Sequence, residues 1–515
     1  MTCAGQPLPQ RGAQLTQLRR GDHNLVGAPP FDATIGRTGR RPVPLERVAR
    51  EKDTSIPTGR IRRTAKVAGL AGGQTARNYA TRATNLGRGQ EGRHRAASRR
   101  QAEAAEQILE VLGNMKGAAM KAGQVASFID TGAFPEEFRE RIQAKLVQLR
   151  DSAPRVSFKD MRKVVESELD GPVGEVFASF DEHAVAAASI GQVYRATLHD
   201  GREVAVKVQY PGVAQAVRSD LQNLGMIMRV AKRIAPGMDA KAMTKEIRER
   251  LSDELDYEQE AQAQRAFARA WRGHPFVVIP DVVTSLSRER VLVTEWVDGL
   301  GFEEVKRLPQ ADRDRFGEIV FRFFFGSLYR HGHFSGDPHP GNFKLMDDGR
   351  VAFLDFGMTK KLGRGRLDAE IEALRLGMAA DEDGLHAQLA RMGFFDAADP
   401  ELAPDAVLRH FRDVIHWYSE DEEITVDREL VAQVLIDFGD PRSDHWQLMK
   451  RQTIPADAIL ASRMQALTLG VLGQLTATAN WHRISCEWLF GDPPATSLGE
   501  QEAVFFGSGR APAAA

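Results

Sequence analysis

The segment SGDPHPGNFKLMDDGRVAFLDFG, residues 335–357, restricts the fold more than any other part of the chain. Asn342 follows Asp337 by five residues and precedes Asp355 by thirteen, and an Asp-Gly turn divides the apolar stretches between them. These stretches predict a β-hairpin that brings Asn342 and Asp355 to the same end of two paired strands. Two oxygen ligands so arranged suit Mg²⁺, which keeps waters and phosphate oxygens as its other ligands.

A second pattern lies upstream, where apolar residues recur with a period of two. Residues 193–198 and 203–209 predict two strands joined by a tight turn, and Lys207 lies between valines in the second strand, EVAVKVQ. A lysine in such a strand needs an anion, and Val-Ala-Val-Lys is typical of the protein-kinase strand whose lysine binds nucleotide phosphates. The alternative is an edge-strand lysine that points to water.

Three patterns in this order, Val-Ala-Val-Lys, Asp-x4-Asn and Asp-Phe-Gly, are typical of protein kinases. They predict an α+β protein with a two-lobed protein-kinase-like fold, in which ATP binds with Mg²⁺ in the cleft between the lobes. The apolar strand RVLVTEWVDG, residues 290–299, is the expected hinge of that cleft. We expect the backbone at Glu295 and Val297 to bind the adenine.

The chemistry of such a cleft gives each candidate residue a role. Lys207 would hold the nucleotide phosphates, and Asn342 and Asp355 would bind the metal ion. Asp337 would accept or orient the proton of the incoming hydroxyl group or water. Lys207 also needs a carboxylate beside it, and the helical segment 245–267 offers three that cannot all reach one partner: Glu254, Asp256 and Glu260.

Four motifs resemble those of the UbiB family of atypical kinases, also called aarF-domain-containing kinases, between residues 100 and 400. Lys121-Ala-Gly-Gln124 is similar to the family's KxGQ motif, and Glu254-Leu-Asp256 is similar to its ExD motif. The loops at 337–342 and 355–357 are similar to its catalytic and metal-binding loops. The stretch AAASIGQV resembles the alanine-rich loop that stands where typical kinases have a glycine-rich loop, and its candidate nucleotide-binding residues are Ala186, Ala187, Ala188, Ser189, Gly191 and Val193.

The resemblance implies roles beyond those argued from the residues themselves. It implies that Glu260 pairs with Lys207, and that Lys121 and Gln124 lie over the cleft against the ExD carboxylates, where a peptide would otherwise enter. It also implies a link to coenzyme Q or other isoprenoid-lipid metabolism, with prenyl-lipid biosynthetic enzymes as partners. One departure is Gly336, which stands where the family usually has alanine before the aspartate.

The alanine-rich loop has a physical consequence for activity. Glycines let backbone N–H groups close on phosphates, whereas three methyl groups here leave only Gly191 without a side chain. We therefore expect altered phosphate geometry, and the resemblance implies an ATPase or a lipid-directed kinase. A nucleotide-binding pseudokinase that acts as a scaffold is the alternative, but competent residues at all four chemical positions favour the enzyme. Small-molecule kinases of the aminoglycoside type lack KxGQ and ExD and match less well.

Charge divides the chain into two unlike parts. Residues 1–100 hold 18 Arg and 2 Lys against 6 acidic residues, a net charge of +14, so the remainder carries −15. The segment 60–85 is either a solvated helix or linker, or a segment that rests on anionic lipid or nucleic acid. The partner we expect for residues 1–95 is the surface of an anionic membrane, and we do not expect nucleic acid.

Composition and periodicity also predict the division of the chain. No apolar run approaches the roughly 20 residues of a membrane span, and no secretory signal is visible, so we expect a cytoplasmic protein that can lie at the periphery of a membrane. The predicted segments are a disordered basic tail (1–57), a basic helical or linker segment (58–95), an N-terminal helical extension with KxGQ (96–179), a kinase-like N-lobe (180–299), a C-lobe with extra C-terminal helices (300–489) and a disordered tail (490–515).

Overall fold

The structure is a computed structural model that describes residues 156–188, 190–218, 255–440, 442–455 and 457–507. The predicted basic tail, the basic segment and most of the helical extension lie outside the described residues. Four candidate site residues also lie outside them, so their predicted roles stay predictions: Lys121, Gln124, Ser189 and Glu254.

Alternating apolar residues build the sheet of the smaller lobe. In chain order this lobe contains α1 (Phe158–Glu168), α2 (Val173–Val176), β1 (Ser179–Phe180), β2 (Ala186–Ala188), β3 (Gly191–Thr197), β4 (Glu203–Gln209), α3 (Tyr257–Ala270) and β6 (Val291–Glu295). Between α3 and β6 the chain forms β5 (Val277–Val278), which pairs with residues 351–352 of the larger lobe. The sheet order is β1-β3-β4-β6, all antiparallel, and β2 also pairs with β3. Val204, Val206 and Val208 share one face of β4, and all three are fully buried, as the period of two in EVAVKVQ predicts.

Helix α1 belongs to the core of the smaller lobe. Its apolar residues Met161 and Val164 pack in the same cluster as the valines of β4. Glu168, the last residue of α1, accepts hydrogen bonds from the backbone N–H and the side chain of Arg290, which directly precedes β6. The distance from Arg290 Nε to Glu168 Oε1 is 2.8 Å. The last part of the segment predicted as a helical extension therefore packs against the sheet.

The larger lobe is helical, with short strands that carry the loops of the cleft. Aromatic residues fill its core, where Phe323 in a π-helical turn (Arg322–Gly326) stacks on Phe353 with ring centres 3.8 Å apart. Its elements are α4 (Phe302–Val305), α5 (Gln310–Phe321), α6 (Ser327–His331), β7 (His333–Ser335), β8 (Phe343–Leu345), β9 (Val351–Phe353), β10 (Thr359–Lys361), α7 (Arg364–Met378), α8 (Glu382–Arg391), α9 (Pro404–Ser419), β11 (Ile424–Thr425), α10 (Arg428–Gly439), α11 (Trp446–Met449), α12 (Ile459–Leu475), β12 (Thr478–Ala479), α13 (Trp481–Leu489) and α14 (Ser497–Phe505).

The expected disordered tail, 490–515, is wrong for residues 497–505, which form α14. Thr496 caps this helix by accepting a hydrogen bond from the backbone N–H of Gly499. Arg322 is completely buried and donates to Glu487 at 2.8 Å and to Glu502 of α14 at 3.0 Å. A buried guanidinium must be paired, so this charge holds the helix to the lobe.

In the part of the chain that the structure describes, none of the helices has the length and apolar character needed to cross a bilayer.

Candidate active site

Lys207 lies between two carboxylates at the junction of the lobes. Its Nζ is 2.7 and 2.9 Å from the two oxygens of Glu260 and 3.3 Å from Oδ2 of Asp355. The side chains of Lys207 and Glu260 are only 17% and 6% exposed. Burial alone would lower the pKa of Lys207, but the nearby carboxylates of Asp355 and Glu260 outweigh it and raise that pKa well above its usual value. The lysine is therefore charged, as phosphate binding requires.

Helix α3 presents Glu260 because its first turn is fixed at two points. Asp256 is the N-cap residue and accepts a hydrogen bond from the backbone N–H of Glu258 at 2.9 Å. Gln209, on β4 and completely buried, donates to the carbonyl oxygens of Leu255 and Glu289. Of the two described acidic candidates, Glu260 therefore meets Lys207, and Asp256 caps the helix.

The predicted hairpin of the metal-binding segment is confirmed. Strands β8 and β9 are antiparallel, with Phe343 opposite Phe353. The backbone N–H of Leu354 donates to the carbonyl of Asn342 at 3.0 Å, which holds the two loop ends together. Asp355 accepts a further hydrogen bond from the backbone N–H of Gly357 through Oδ1. Asn342 and Asp355 thus lie at the same end of the hairpin.

Oxygen donors of this kind fit a hard divalent cation. Asn342 and Asp355 supply an amide and a carboxylate oxygen, the ligand types that Mg²⁺ prefers. Among the residues that the structure describes, no group of three or more His, Cys, Asp or Glu residues is placed to hold a metal ion. A magnesium ion here would therefore take its remaining ligands from water and nucleotide phosphates, as it does in kinase clefts.

Asp337 is held by a residue that sequence reasoning missed. Arg463 of α12 lies with Nη2 3.2 Å from Oδ1 of Asp337, and the two side chains are 11% and 16% exposed. Gly336 allows this approach, because a β-carbon there would collide with the side chain of Leu460 on the same helix. Glycine in place of the family's usual alanine thus has a packing reason. Arg463 and Asp337 are 126 positions apart in the sequence, so no local pattern indicates the pair.

The alanine-rich loop forms one strand of a hairpin that is paired with the strand of Lys207. Ala186 and Ala188 of β2 pair with Val193 and Gly191 of β3, and Val193 lies opposite Lys207 on β4. A β-carbon at Gly191 would overlap the backbone carbonyl of β4. This glycine is therefore required by the close approach of two strands, and its role in nucleotide binding stays a prediction.

The expected hinge follows the last strand of the sheet. Glu295 ends β6, its backbone N–H donates to the carbonyl of Asp281 at 2.9 Å, and that of Trp296 donates to Glu203 at 3.0 Å. Within the described residues, no hydrogen bond involves the backbone N–H of Val297. Adenine binding at the backbone of Val297 therefore stays a prediction.

The comparisons with known proteins agree with this geometry. The profile of the ABC1 atypical kinase-like domain matches residues 148–388. A rat protein, "Atypical kinase COQ8B, mitochondrial", is 32% identical over 360 residues, which cover 69% of this chain and 67% of the relative. The chain belongs to the UbiB family of atypical kinases.

Other UbiB relatives are similar over smaller shares of their length. "Atypical kinase coq-8, mitochondrial" of Caenorhabditis elegans is 31% identical over 70% of this chain, and the match spans 48% of that protein. The chloroplastic "ACTIVITY OF BC1 COMPLEX KINASE 1" of Arabidopsis thaliana is 33% identical over 58% of this chain and 44% of its own length. Among solved structures, the Rv3197–erythromycin complex of Mycobacterium tuberculosis superposes with a TM-score of 0.56 at 32% identity, covering 78% of this chain and all of that chain.

Proposed function

We propose that this UbiB-family protein binds Mg²⁺-ATP in the cleft and cleaves its terminal phosphate, as an ATPase or a kinase for a small or lipid-linked acceptor. The observation that carries the proposal is the position of Lys207, which meets both Glu260 and Asp355. This is the arrangement that phosphoryl transfer requires for holding the phosphates beside the metal.

Each residue of the cleft would contribute a separate task. Lys207 binds phosphate oxygens, and Glu260 keeps it charged and oriented. Asn342 and Asp355 would hold Mg²⁺, which, when bound, supplies positive charge against the phosphate oxygens. Asp337 accepts the proton of the attacking water or hydroxyl group, and Arg463 keeps its carboxylate in place.

ATP turnover separates the enzyme from the pseudokinase scaffold. The full chain is assayed with Mg²⁺, with and without anionic liposomes, beside Asn342→Ala and Asp355→Ala. An enzyme gives turnover that both variants lose, and their nucleotide binding weakens more with Mg²⁺ than without it, because each residue supplies an oxygen to the ion. Magnesium-dependent binding without turnover in either condition supports the scaffold. Equal losses with and without Mg²⁺ point to a damaged hairpin.

The cellular setting is proposed from the relatives. The names of the rat and worm relatives carry coq, in line with the expected link to coenzyme Q or another isoprenoid lipid and with prenyl-lipid biosynthetic enzymes as partners. Those names place the relatives in mitochondria, whereas a cytoplasmic protein at a membrane periphery remains our prediction for this chain. Removal of residues 1–95 should abolish any stimulation of turnover by anionic liposomes.

A macrolide is a second ligand to test. The Mycobacterium tuberculosis neighbour was solved with erythromycin. Because the match covers all of that neighbour, we ask whether this chain binds erythromycin as well. Erythromycin is added to the ATP-binding and turnover assays above. A change in either measurement supports a macrolide site in this chain, and unchanged values with no shift in melting temperature exclude it.

A further inference from the structure

Tyr257 begins α3 and contacts two parts of the candidate nucleotide site at once. The centre of its ring lies 5.0 Å from Nζ of Lys207. At its other end, a β-carbon built on Gly191 would lie 3.1 Å from the hydroxyl oxygen, so the hydroxyl group lies against that glycine. Gly191 opens β3 directly after the turn of the alanine-rich hairpin. The hydroxyl group therefore lies at the base of the loop that would cover the phosphates.

This hydroxyl group is buried and has no hydrogen-bond partner among the residues that the structure describes. Tyr257 is 2% exposed, and among the described residues none forms a hydrogen bond with its oxygen. Burial raises the pKa of Tyr257, so the group keeps its proton and remains a donor. A buried hydroxyl group without a hydrogen-bond partner destabilises the folded protein. A ligand with an acceptor oxygen would remove that destabilisation.

We propose that the Tyr257 hydroxyl group donates a hydrogen bond to a phosphate oxygen of the bound nucleotide, while its ring positions Lys207. The inference deepens the proposed nucleotide site and rests on it. In a glycine-rich loop, backbone N–H groups supply the donors to the phosphates. Here alanine methyl groups hinder that approach, and the Tyr257 hydroxyl group supplies a donor beside Gly191 instead.

Gln209 offers the competing explanation. It lies opposite Gly191 in the pairing of β3 with β4, and its Oε1 is also buried without a partner in the described part of the chain. Its amide nitrogen already donates to two carbonyl groups. If the Tyr257 hydroxyl donates to Gln209 Oε1 after a small rotation, its loss would destabilise the protein without nucleotide. The two explanations therefore predict opposite effects on the nucleotide-free protein.

The test compares the full chain with Tyr257→Phe, which removes the hydroxyl group and keeps the ring. Melting temperatures are measured without nucleotide, and dissociation constants for ATP, ADP and adenosine are measured with Mg²⁺. We expect the nucleotide-free melting temperature to stay level or rise. We expect about tenfold weaker binding of ATP and of ADP, the loss typical of a hydrogen bond to a charged group. Adenosine, which has no phosphate, should bind as before.

The control is Tyr194→Phe in the same lobe. The Tyr194 hydroxyl donates to Gln192 at 2.8 Å, so this variant should lower the melting temperature and leave nucleotide binding unchanged. Parent-like ATP affinity in Tyr257→Phe, an equal loss for adenosine, or a lower nucleotide-free melting temperature overturns the inference. If the parent chain binds no ATP, the proposed function fails together with this inference. If the parent binds ATP and only the Tyr257→Phe results disagree, this inference alone fails.

Discussion

At the scale of single residues, Lys207 serves both ligand binding and stability. A strand lysine that faces a cleft could be removed at little structural cost, because only a charge is lost. The structure changes this expectation, since Lys207 is the ion-pair partner of Glu260, which is buried. Removing one member of a buried pair costs about 3–5 kcal/mol, because the other charge stays buried and uncompensated.

We therefore predict that Lys207→Met loses nucleotide binding and also unfolds at lower denaturant concentration. Adding Glu260→Gln should restore much of the stability, because it removes the uncompensated charge, and should leave nucleotide binding lost. Urea unfolding and ATP binding measured on the parent, both single variants and the double variant test this. If the losses in the free energy of unfolding are strictly additive, Lys207 and Glu260 contribute to stability independently, and the prediction is wrong.

The sequence predicts the local elements of the site well. The strand of Lys207 and the hairpin between Asn342 and Asp355 follow from residues within a few positions of one another. Arg463 and Glu502 could not be predicted, because their partners Asp337 and Arg322 are more than 100 residues away in the sequence. Isolated charged residues on a helix usually lie in solvent, so the sequence around Arg463 and Glu502 does not indicate that either residue forms an ion pair.

At the scale of elements, α12 packs closely against the catalytic loop because Gly336 has no methyl group. Gly336 packs on Leu460, and Arg463 reaches Asp337 one turn further along the helix. Adding a methyl group to a packed contact costs about 1–3 kcal/mol. A displacement of α12 by the added methyl group would also move Arg463 away from the carboxylate of Asp337. Stability and catalysis are therefore linked at this contact.

We predict that Gly336→Ala lowers the free energy of unfolding by about 1–3 kcal/mol and reduces ATP turnover. Leu460→Val shortens the opposing side chain, so the double variant Gly336→Ala/Leu460→Val should recover part of both losses. Urea unfolding and turnover are measured on all four proteins. Turnover as in the parent in Gly336→Ala, despite a clear loss of stability, would separate α12 from the catalytic loop.

At the scale of the whole molecule, the C-terminal helix stabilises the helix that carries Glu260. Phe506 packs edge-on against Trp271, the C-cap residue of α3, with ring centres 5.7 Å apart. Phe505 packs against His274 at 4.8 Å. The start of α3 is bonded to β4 through Gln209, and its end packs on Phe506 beside α14, so packing at both ends of α3 fixes the helix that carries Glu260.

Replacing both phenylalanines tests this connection. We predict that Phe505→Ala/Phe506→Ala lowers the melting temperature and weakens ATP binding, because the end of α3 loses its packing. Val504→Ala is the matched control on the same helix, since Val504 is 74% exposed and should tolerate the change. A large loss of stability with unchanged ATP affinity would confine α14 to a structural role.

The last prediction joins the described lobes to the KxGQ segment outside them. By resemblance, Lys121 meets Asp256, which in the structure caps α3 by accepting from the backbone N–H of Glu258. Alanine at Asp256 would remove the cap as well as the charge. Asparagine is an equally good N-cap residue, so Asp256→Asn removes the charge and keeps the helix start.

We predict that Lys121→Ala changes nucleotide selectivity or exposes an autophosphorylation activity that the parent suppresses, because the segment over the cleft loosens. Combined with Asp256→Asn, its effects should be non-additive, since each variant would break the ion pair that the resemblance implies. Glu258→Gln, the same type of charge loss at an exposed neighbour on α3, should be additive with Lys121→Ala. Nucleotide behaviour as in the parent in Lys121→Ala, together with additivity in the Asp256→Asn pair, would refute gating by this segment.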